Sequence, residues 1–240
     1  MHRFPSPLPP PSPKLRPCLT FAPLAWLKLQ FFGHTADTEI GGFGVSAAHD
    51  LLYVEDFVTL PQEVTAVTVR FRDEGVADYF DACLDRGLSP ARCGRIWCHT
   101  HPGASVTPSG IDEATFARSF GRCDWAVMFI LGRTGLTYAR LRLTAGPGAE
   151  LMIPTTVDWA AWPQQLATTP EVLTTVAEQW RQEYAAHIHR APESLVLMDP
   201  RRSEAADEVP WWQDLPWYPE LDAPRYDLVE ETTDHVVHPR

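Results

Sequence analysis

Residues 99–112 restrict the possible folds of this chain strongly, because they combine metal-binding residue types with the patterns of two different secondary structures. Residues 99–102 spell His-Thr-His-Pro, and residues 109–112 spell Ser-Gly-Ile-Asp. The apolar residues before them predict a short strand, on which side chains two apart project from the same face. His99 and His101 can therefore bind one cation together, and the proline that follows ends the strand.

A helix is predicted directly after this strand. Ser109 is a favourable N-cap, and acidic residues in the first turn favour the helix dipole. Asp112 would then lie in the first turn, where its carboxylate can reach the same cation. Two imidazoles and one carboxylate suit Zn²⁺ and leave a fourth position open, which is typical of a catalytic site. Ser109 is about one helical turn from Asp112, so its hydroxyl could donate to an oxyanion.

Hydrolysis also requires a general base and acid, and a nearby carboxylate is the usual choice. Glu39 is the candidate, within a glycine-rich segment, 38–48, that is predicted to be a strand. On spacing alone, Glu55 and Glu63 are almost equally suitable.

Five residues match a known motif in type, order and spacing: Glu39, His99, His101, Ser109 and Asp112. The chain thereby resembles the JAMM (MPN-plus) metalloprotease family. The motif of that family has a distant Glu, then His-x-His-Pro, and then Ser and Asp at this spacing. The resemblance covers about residues 24–145 and selects Glu39 over the other glutamates. It implies a cytidine-deaminase-like (MPN/JAB) α/β fold, a mixed sheet sandwiched by helices. His99, His101 and Asp112 would bind one Zn²⁺, Glu39 would be the base and acid, and Ser109 the oxyanion donor.

The activity implied by the resemblance is hydrolysis of an isopeptide or peptide bond after the C-terminus of a ubiquitin-like modifier. A strand, 125–131, follows the motif helix too soon for the long insertion of eukaryotic members, so the chain resembles the compact prokaryotic type. A bacterial ubiquitination-like pathway would be a fitting context. The alternative is an inert MPN-type scaffold or binding module, although such members usually lose one of the site residues. A zinc deaminase is set aside because the chain has no Cys-x-x-Cys pair.

The composition of the chain limits which classes of partner and which cellular location are expected. The formal net charge of −11 argues against nucleic acid as the main partner. No apolar run approaches the roughly 20 residues that span a bilayer, so no membrane role is expected. Five cysteines without Cys-x-x-Cys spacing favour a reducing cytoplasm over a disulfide framework. Cys98 is expected to be a core residue, because it faces away from the two histidines.

Four regions are predicted along the chain. Residues 1–18 form a Pro-rich leader that is expected to be disordered, and residues 19–155 form the metalloprotease domain. Residues 156–198 form a helical extension, with a helix around 170–190, and residues 199–240 form an acidic tail with prolines and aromatic residues.

The regions outside the motif carry two further hypotheses. The Trp-rich segment 209–219 is interpreted as a strap on the domain's own surface or, alternatively, as a docking motif for a partner. His187, His189, His235 and His238 are expected to be solvent-exposed and not a second metal site.

Local patterns predict the remaining elements. Strands are predicted over 51–60, 64–72, 125–131 and 136–143, and a helix over 73–88 that ends near Gly87. Residues 24–32 could form either a helix or a strand.

Overall fold

The computed structural model describes residues 16–162 and 170–191. The predictions for most of the leader, for the Trp-rich segment 209–219, for the acidic tail and for His235 and His238 lie outside the described residues.

Within these ranges the chain forms eleven strands and five α-helices. The strands are β1 (Leu19–Phe21), β2 (Gly41–Ser46), β3 (Tyr53–Thr59), β4 (Gln62–Val64), β5 (Val69–Phe71), β6 (Ile96–His101), β7 (Trp125–Gly132), β8 (Thr137–Leu143), β9 (Ala149–Met152), β10 (Thr155–Val157) and β11 (Ile188–Arg190). The helices are α1 (Pro23–Thr35), α2 (Asp73–Asp85), α3 (Pro90–Cys93), α4 (Gly110–Phe120) and α5 (Pro170–His187).

Eight of the strands form one mixed sheet, in the order β10-β1-β3-β2-β6-β7-β8-β9. Strand β6 lies near its middle, antiparallel to β2 and parallel to β7. Strands β11, β4 and β5 form a second, three-stranded sheet. The architecture is thus mixed α/β, as the sequence predicted at this coarser level.

The large sheet separates two hydrophobic cores, because successive residues of a strand face opposite sides. Ile96 and Cys98 of β6 belong to the core that includes residues of α1, whereas Trp97 belongs to the core that includes residues of α2 and α4. Cys98 is fully buried, which confirms the prediction that it is a core residue. All five cysteines are free.

Residues 24–32, which the sequence left undecided, belong to helix α1, with a proline at its start. This helix buries one face, which includes Leu29 and Phe32, in the core on its side of the sheet. Proline is well suited to the first turn of a helix, because its missing N–H has no intrahelical acceptor there. The prediction that α2 ends near Gly87 is confirmed, since Gly87 has the positive φ of 70° that favours glycine after a helix.

The predicted strand 64–72 is wrong, because a turn divides it. Thr65 and Thr68 hydrogen-bond each other through their hydroxyls at 2.8 Å, and the Thr65 hydroxyl also accepts from the Val67 N–H. These side-chain bonds stabilise a tight turn within a run of β-branched residues. The result is a hairpin, β4–β5, in place of one strand.

The described residues after 155, 156–162 and 170–191, include elements that pack on the rest of the structure. Strand β10 pairs with β1, and β11 pairs in parallel with β4. Helix α5 places Trp180 and Tyr184 against the core that contains α1. The predicted helix around 170–190 is confirmed, while the domain boundary near 155 stays a prediction. Among the described residues, no helix combines the length and apolar character needed to cross a membrane.

Candidate metal centre

Strand β6 positions the two histidines of the motif. His99 is completely buried, and its ring stacks on Trp97 with centroids 4.4 Å apart. His101, two residues further, is the last residue of the strand, and its ring centroid is 5.2 Å from that of His99. Both rings lie on the same side of the sheet, as the spacing predicted.

Helix α4 positions the carboxylate. Ser109 is its N-cap, and Asp112 is the third residue of the helix. The Asp112 N–H donates to the Ser109 hydroxyl at 3.1 Å, and the Ser109 N–H donates to Asp112 Oδ2 at 2.7 Å. This reciprocal arrangement is a capping box with aspartate in the position where glutamate is common. It fixes the carboxylate while satisfying two of the orphan N–H groups at the helix start.

The three side chains meet at one point. His99 Nε2 lies 3.3 Å from Asp112 Oδ1, and His101 Nε2 lies 3.7 Å from Asp112 Oδ2. One ligand atom from each residue lies within 4.8 Å of the other two. The group can therefore hold a metal ion, and its donor set of two imidazoles and one carboxylate is one that transition metals accept.

The hydrogen bonds around the histidines fit a metal ion. His101 Nδ1 donates to the Ser105 carbonyl at 2.9 Å, which leaves Nε2 with its lone pair directed at the centre. The Nε2 atoms of His99 and His101 are buried and have no hydrogen-bond partner among the described residues. Buried polar atoms without a partner are costly, and an ion bound between them would satisfy both.

Glu39 lies beside this group. Its Oε1 is 3.7 Å from His101 Nε2, and the residue is 5% exposed. The sequence predicted Glu39 within a strand over 38–48, but β2 begins at Gly41, so Glu39 precedes the strand. Glu39 is thus a buried residue that lies just before the strand.

The carboxyl groups of Glu39 and Asp112 have opposite pKa shifts. Burial raises the pKa of Glu39 to about 8, with a further increase from the charge of Asp112, and His101 opposes the shift. Burial also acts to raise the pKa of Asp112, but the neighbouring imidazoles of His101 and His99 and the Ser109 N–H together hold it well below its usual range. One carboxyl group thus takes up a proton readily while the other stays ionised, which is the pattern of an acid–base residue beside a ligand.

The pKa values of the two imidazoles also differ. Complete burial lowers the pKa of His99 and keeps its ring neutral, as a metal ligand must be. Burial opposes protonation of His101 as well, but Asp112, the Ser105 carbonyl and Glu39 together raise its pKa. The electrostatic environment of the centre therefore favours a positive charge, which a bound cation would supply.

The structure brings all five predicted site residues into one region, with Ser109 in contact with Asp112. It also adds two contributors that the sequence did not indicate. The Ser105 carbonyl fixes the orientation of His101, and the Trp97 ring supports His99. The i, i+2 spacing of Trp97 and His99 was a usable signal for the second of these. A backbone carbonyl is present in every residue, so the sequence could not indicate the role of the Ser105 carbonyl.

Comparison of the sequence with models of known protein families finds no match, and comparison with curated proteins also finds none. The functional interpretation therefore depends on the residues and geometry of the site.

Proposed function

We propose that the chain is a zinc-dependent isopeptidase of the JAMM type, which hydrolyses the bond after the C-terminus of a ubiquitin-like protein. The observation that carries the proposal is the convergence of two unpartnered, buried imidazole Nε2 atoms on the Asp112 carboxylate, with the Glu39 carboxyl group beside them. A mixed sheet with helices on both faces is what a cytidine-deaminase-like fold requires, and this supports the same family.

Zinc is the proposed ion, because His₂Asp with an open fourth position is a donor set of catalytic zinc. Bound zinc would polarise the scissile carbonyl and acidify the attacking water. His99 and His101 contribute neutral Nε2 atoms, and Asp112 contributes a carboxylate held in place by the capping box.

Glu39 is proposed as the group that moves the proton. Its carboxyl group is 3.7 Å from His101 Nε2, so it lies beside the ligands without being one of the three convergent residues. Its pKa of about 8 lies near neutral pH. A carboxyl group with such a pKa can accept a proton from water and pass it to the leaving amine, the general base and acid role.

Ser109 is proposed as the oxyanion donor. Its hydroxyl oxygen accepts from the Asp112 N–H, so that bond does not use the hydroxyl hydrogen. The hydrogen can donate to the developing negative charge of the tetrahedral intermediate.

The substrate class follows from the family resemblance and from one structural detail. Helix α4 ends at Phe120 and strand β7 begins at Trp125. Only residues 121–124 separate them, which supports the compact prokaryotic type and not the eukaryotic type with its long insertion. A substrate whose flexible C-terminal tail enters the site, as in ubiquitin-like proteins, suits such a compact enzyme.

The inert scaffold is the competing hypothesis. A binding module has no use for a buried glutamate beside unpartnered histidines, because the buried carboxyl group costs free energy and would be replaced readily. Retention of Glu39 with all three proposed ligands therefore favours the enzyme.

The test uses the purified full chain, loaded with zinc, and ubiquitin-like proteins encoded near its gene, each fused through its C-terminal glycine to a reporter protein. We expect cleavage at the junction, read by mass spectrometry, and loss of cleavage with a zinc chelator. The Glu39→Gln variant should bind zinc normally and cleave about 10³-fold more slowly. Glu55→Gln, which changes an exposed glutamate on β3, is the matched control. Undiminished cleavage by Glu39→Gln, or absence of zinc in the loaded protein by metal analysis, would contradict the proposal.

A further inference from the structure

The backbone just before β2 holds Glu39 through three successive residues. The Glu39 N–H donates to the Thr65 carbonyl at 2.8 Å. Ile40 exchanges two hydrogen bonds with Thr100 of β6, its N–H donating to the hydroxyl at 3.1 Å and its carbonyl accepting from the Thr100 N–H at 2.9 Å. Gly41 faces the opposite way, because hydrogen-bonding groups alternate along an extended chain.

On that opposite side, the neighbouring strand β3 ends one residue short of the position opposite Gly41. Strand β3 ends at Thr59, which pairs with Gly42, so no residue of β3 pairs with Gly41, whose partner on the other side is His99 of β6. The side chain of Gln62 takes this place. Its Oε1 accepts from the Gly41 N–H at 2.8 Å, and its Nε2 donates to the Gly41 carbonyl at 2.8 Å. The amide group thus replaces the peptide group of a missing strand residue.

Gln62 is itself held rigidly. It is completely buried, and its Nε2 also donates to the Leu60 carbonyl at 2.9 Å, so both amide hydrogens are used. Its backbone belongs to β4, which has β5 on one side and β11 on the other. The lack of a side chain at Gly41 allows this contact, since an added Cβ would lie 2.8 Å from a methyl group of Val69.

We propose that Gln62 is a positioning residue that holds the Glu39 segment in the geometry required for catalysis. The inference rests on the proposed function, because it takes Glu39 as the acid–base group. Gln62 does not contact the metal ligands; it acts through the backbone of Gly41, two residues from Glu39. A displacement of about 1 Å at a reacting group can lower a rate by about 100-fold. A side chain that fixes this backbone therefore controls turnover without touching the substrate.

The first measurement is amide hydrogen exchange of the full-length protein by NMR, with and without zinc. In Gln62→Met, which keeps the side-chain length but removes the amide group, the Ile40 and Gly41 amides should exchange at least about tenfold faster. The Cys98 amide in the middle of β6 should stay protected. Ser46→Ala is the matched control: it removes a buried side-chain hydrogen bond at the other end of β2 and should leave these rates unchanged. Unchanged exchange in Gln62→Met would overturn the inference, whatever the activity.

The second measurement is steady-state cleavage of the same ubiquitin-like reporter fusions that test the proposed function, at saturating zinc. Gln62→Met should lower kcat by about 10- to 100-fold. KM and zinc affinity should stay within about threefold, since the ligands lie on β6 and α4. If Gln62 acts through Glu39, the double variant with Glu39→Gln should be no slower than Glu39→Gln alone. Multiplied losses in the double variant would mean that Gln62 has only a general structural role.

A second variant covers the case in which Gln62→Met does not fold. Gln62→Glu keeps the acceptor for the Gly41 N–H and loses the donor to the Gly41 and Leu60 carbonyls, so it should show the same pattern with a smaller rise in exchange. Different results would contradict the proposed function and the proposed role of Gln62. Activity retained by Glu39→Gln, or no hydrolysis by the parent protein, counts against the proposed function, whereas the exchange rates decide the role of Gln62.

Discussion

At the scale of single residues, Ser109 has two separable roles. Its backbone N–H orients the Asp112 carboxylate, and its hydroxyl caps helix α4. Substitution by alanine removes only the hydroxyl, so the orienting bond and the zinc affinity should remain. The side chain's observed role as helix cap and its proposed role as oxyanion donor can then be measured separately.

We predict that Ser109→Ala lowers the free energy of unfolding by about 1 kcal/mol, as loss of an N-cap does. Its kcat should fall by about 100-fold, as loss of an oxyanion donor does. Urea unfolding and steady-state kinetics measure the two effects. Ser89→Ala is the matched control, since Ser89 is the N-cap of α3 but makes no side-chain capping bond. A kcat within threefold of the parent would reduce Ser109 to a helix cap.

His187, the last residue of α5, contradicts the prediction that it is solvent-exposed. It is half-buried, and its Nδ1 hydrogen-bonds the Thr59 hydroxyl at 3.0 Å. Burial lowers the pKa of His187 below the ordinary histidine value of about 6.5, and Lys28 and His189 lower it further, against the opposing effects of Glu183 and Thr59.

This shift predicts a pH dependence of stability. Because the folded pKa lies below the unfolded one, the unfolded state binds more protons below about pH 6.5, and stability falls as the pH falls. The His187→Asn variant, which keeps a hydrogen-bonding group near Nδ1, should lose less stability than the parent between about pH 7.5 and about pH 5.5. Urea unfolding at both pH values measures this difference. Equal losses in the two proteins would show that His187 does not contribute.

At the scale of elements, a buried ion pair joins α1 to α5. Lys28 is 8% exposed, and its Nζ lies 2.8 Å from Glu183 Oε2 and 3.7 Å from Asp56 Oδ1. Glu183 also accepts from the Thr59 hydroxyl at 2.7 Å. Two helices and strand β3 therefore meet at one network of charged and polar groups.

Removal of the cation should leave the partly buried Glu183 carboxylate without its ion-pair partner. We predict that Lys28→Met lowers the free energy of unfolding by about 2–3 kcal/mol, measured by urea denaturation. Arg181→Met, on the helix that carries Glu183, is the matched control, because its ion pair with Glu178 is largely exposed and should contribute at most about 0.5 kcal/mol. Adding Glu183→Gln to Lys28→Met should restore part of the loss. A loss no larger than that of the control would contradict the prediction.

The elements also show which parts of the fold the sequence could predict. Strand β6 and helix α4 were predictable because their signals are local, a run of apolar residues and an N-cap followed by acids. The hairpin β4–β5 was missed, since its turn is made by threonine hydroxyls within a β-rich run. The positions of Gln62 and His187 depend on contacts between distant segments, which no local pattern encodes. Glu39 was found only through the family resemblance, because the spacing fitted other glutamates nearly as well.

At the scale of the whole molecule, zinc should stabilise the fold, because the folded chain holds the three proposed ligands in place and the unfolded chain does not. At a zinc concentration of about 1,000 times the Kd, the stabilisation would be about 4 kcal/mol. For a chain of this size, that raises Tm by about 10 °C. Chelation should reverse the shift in a thermal unfolding experiment.

The Asp112→Asn variant should lose most of this shift, because it lacks the ligand carboxylate. Glu113→Gln is the matched control, since the adjacent carboxylate bonds Arg140 and not the metal centre. A zinc-dependent shift of the same size in the Asp112→Asn variant would contradict the assignment of Asp112 as a ligand.

The three proposed ligands lie close together along the chain, whereas Glu39 is distant from them in sequence. The ligands come from one short segment, a strand and the helix that follows it. Glu39 reaches them only when the chain closes a long loop, as in the bond between Ile40 and Thr100, which are 60 residues apart. Long loops form late in folding, because their closure costs more entropy than local structure does. A chain that is still folding is thus expected to bring its proposed ligands near one another before Glu39 joins them, so the proposed proteolytic activity would begin only when the sheet is complete.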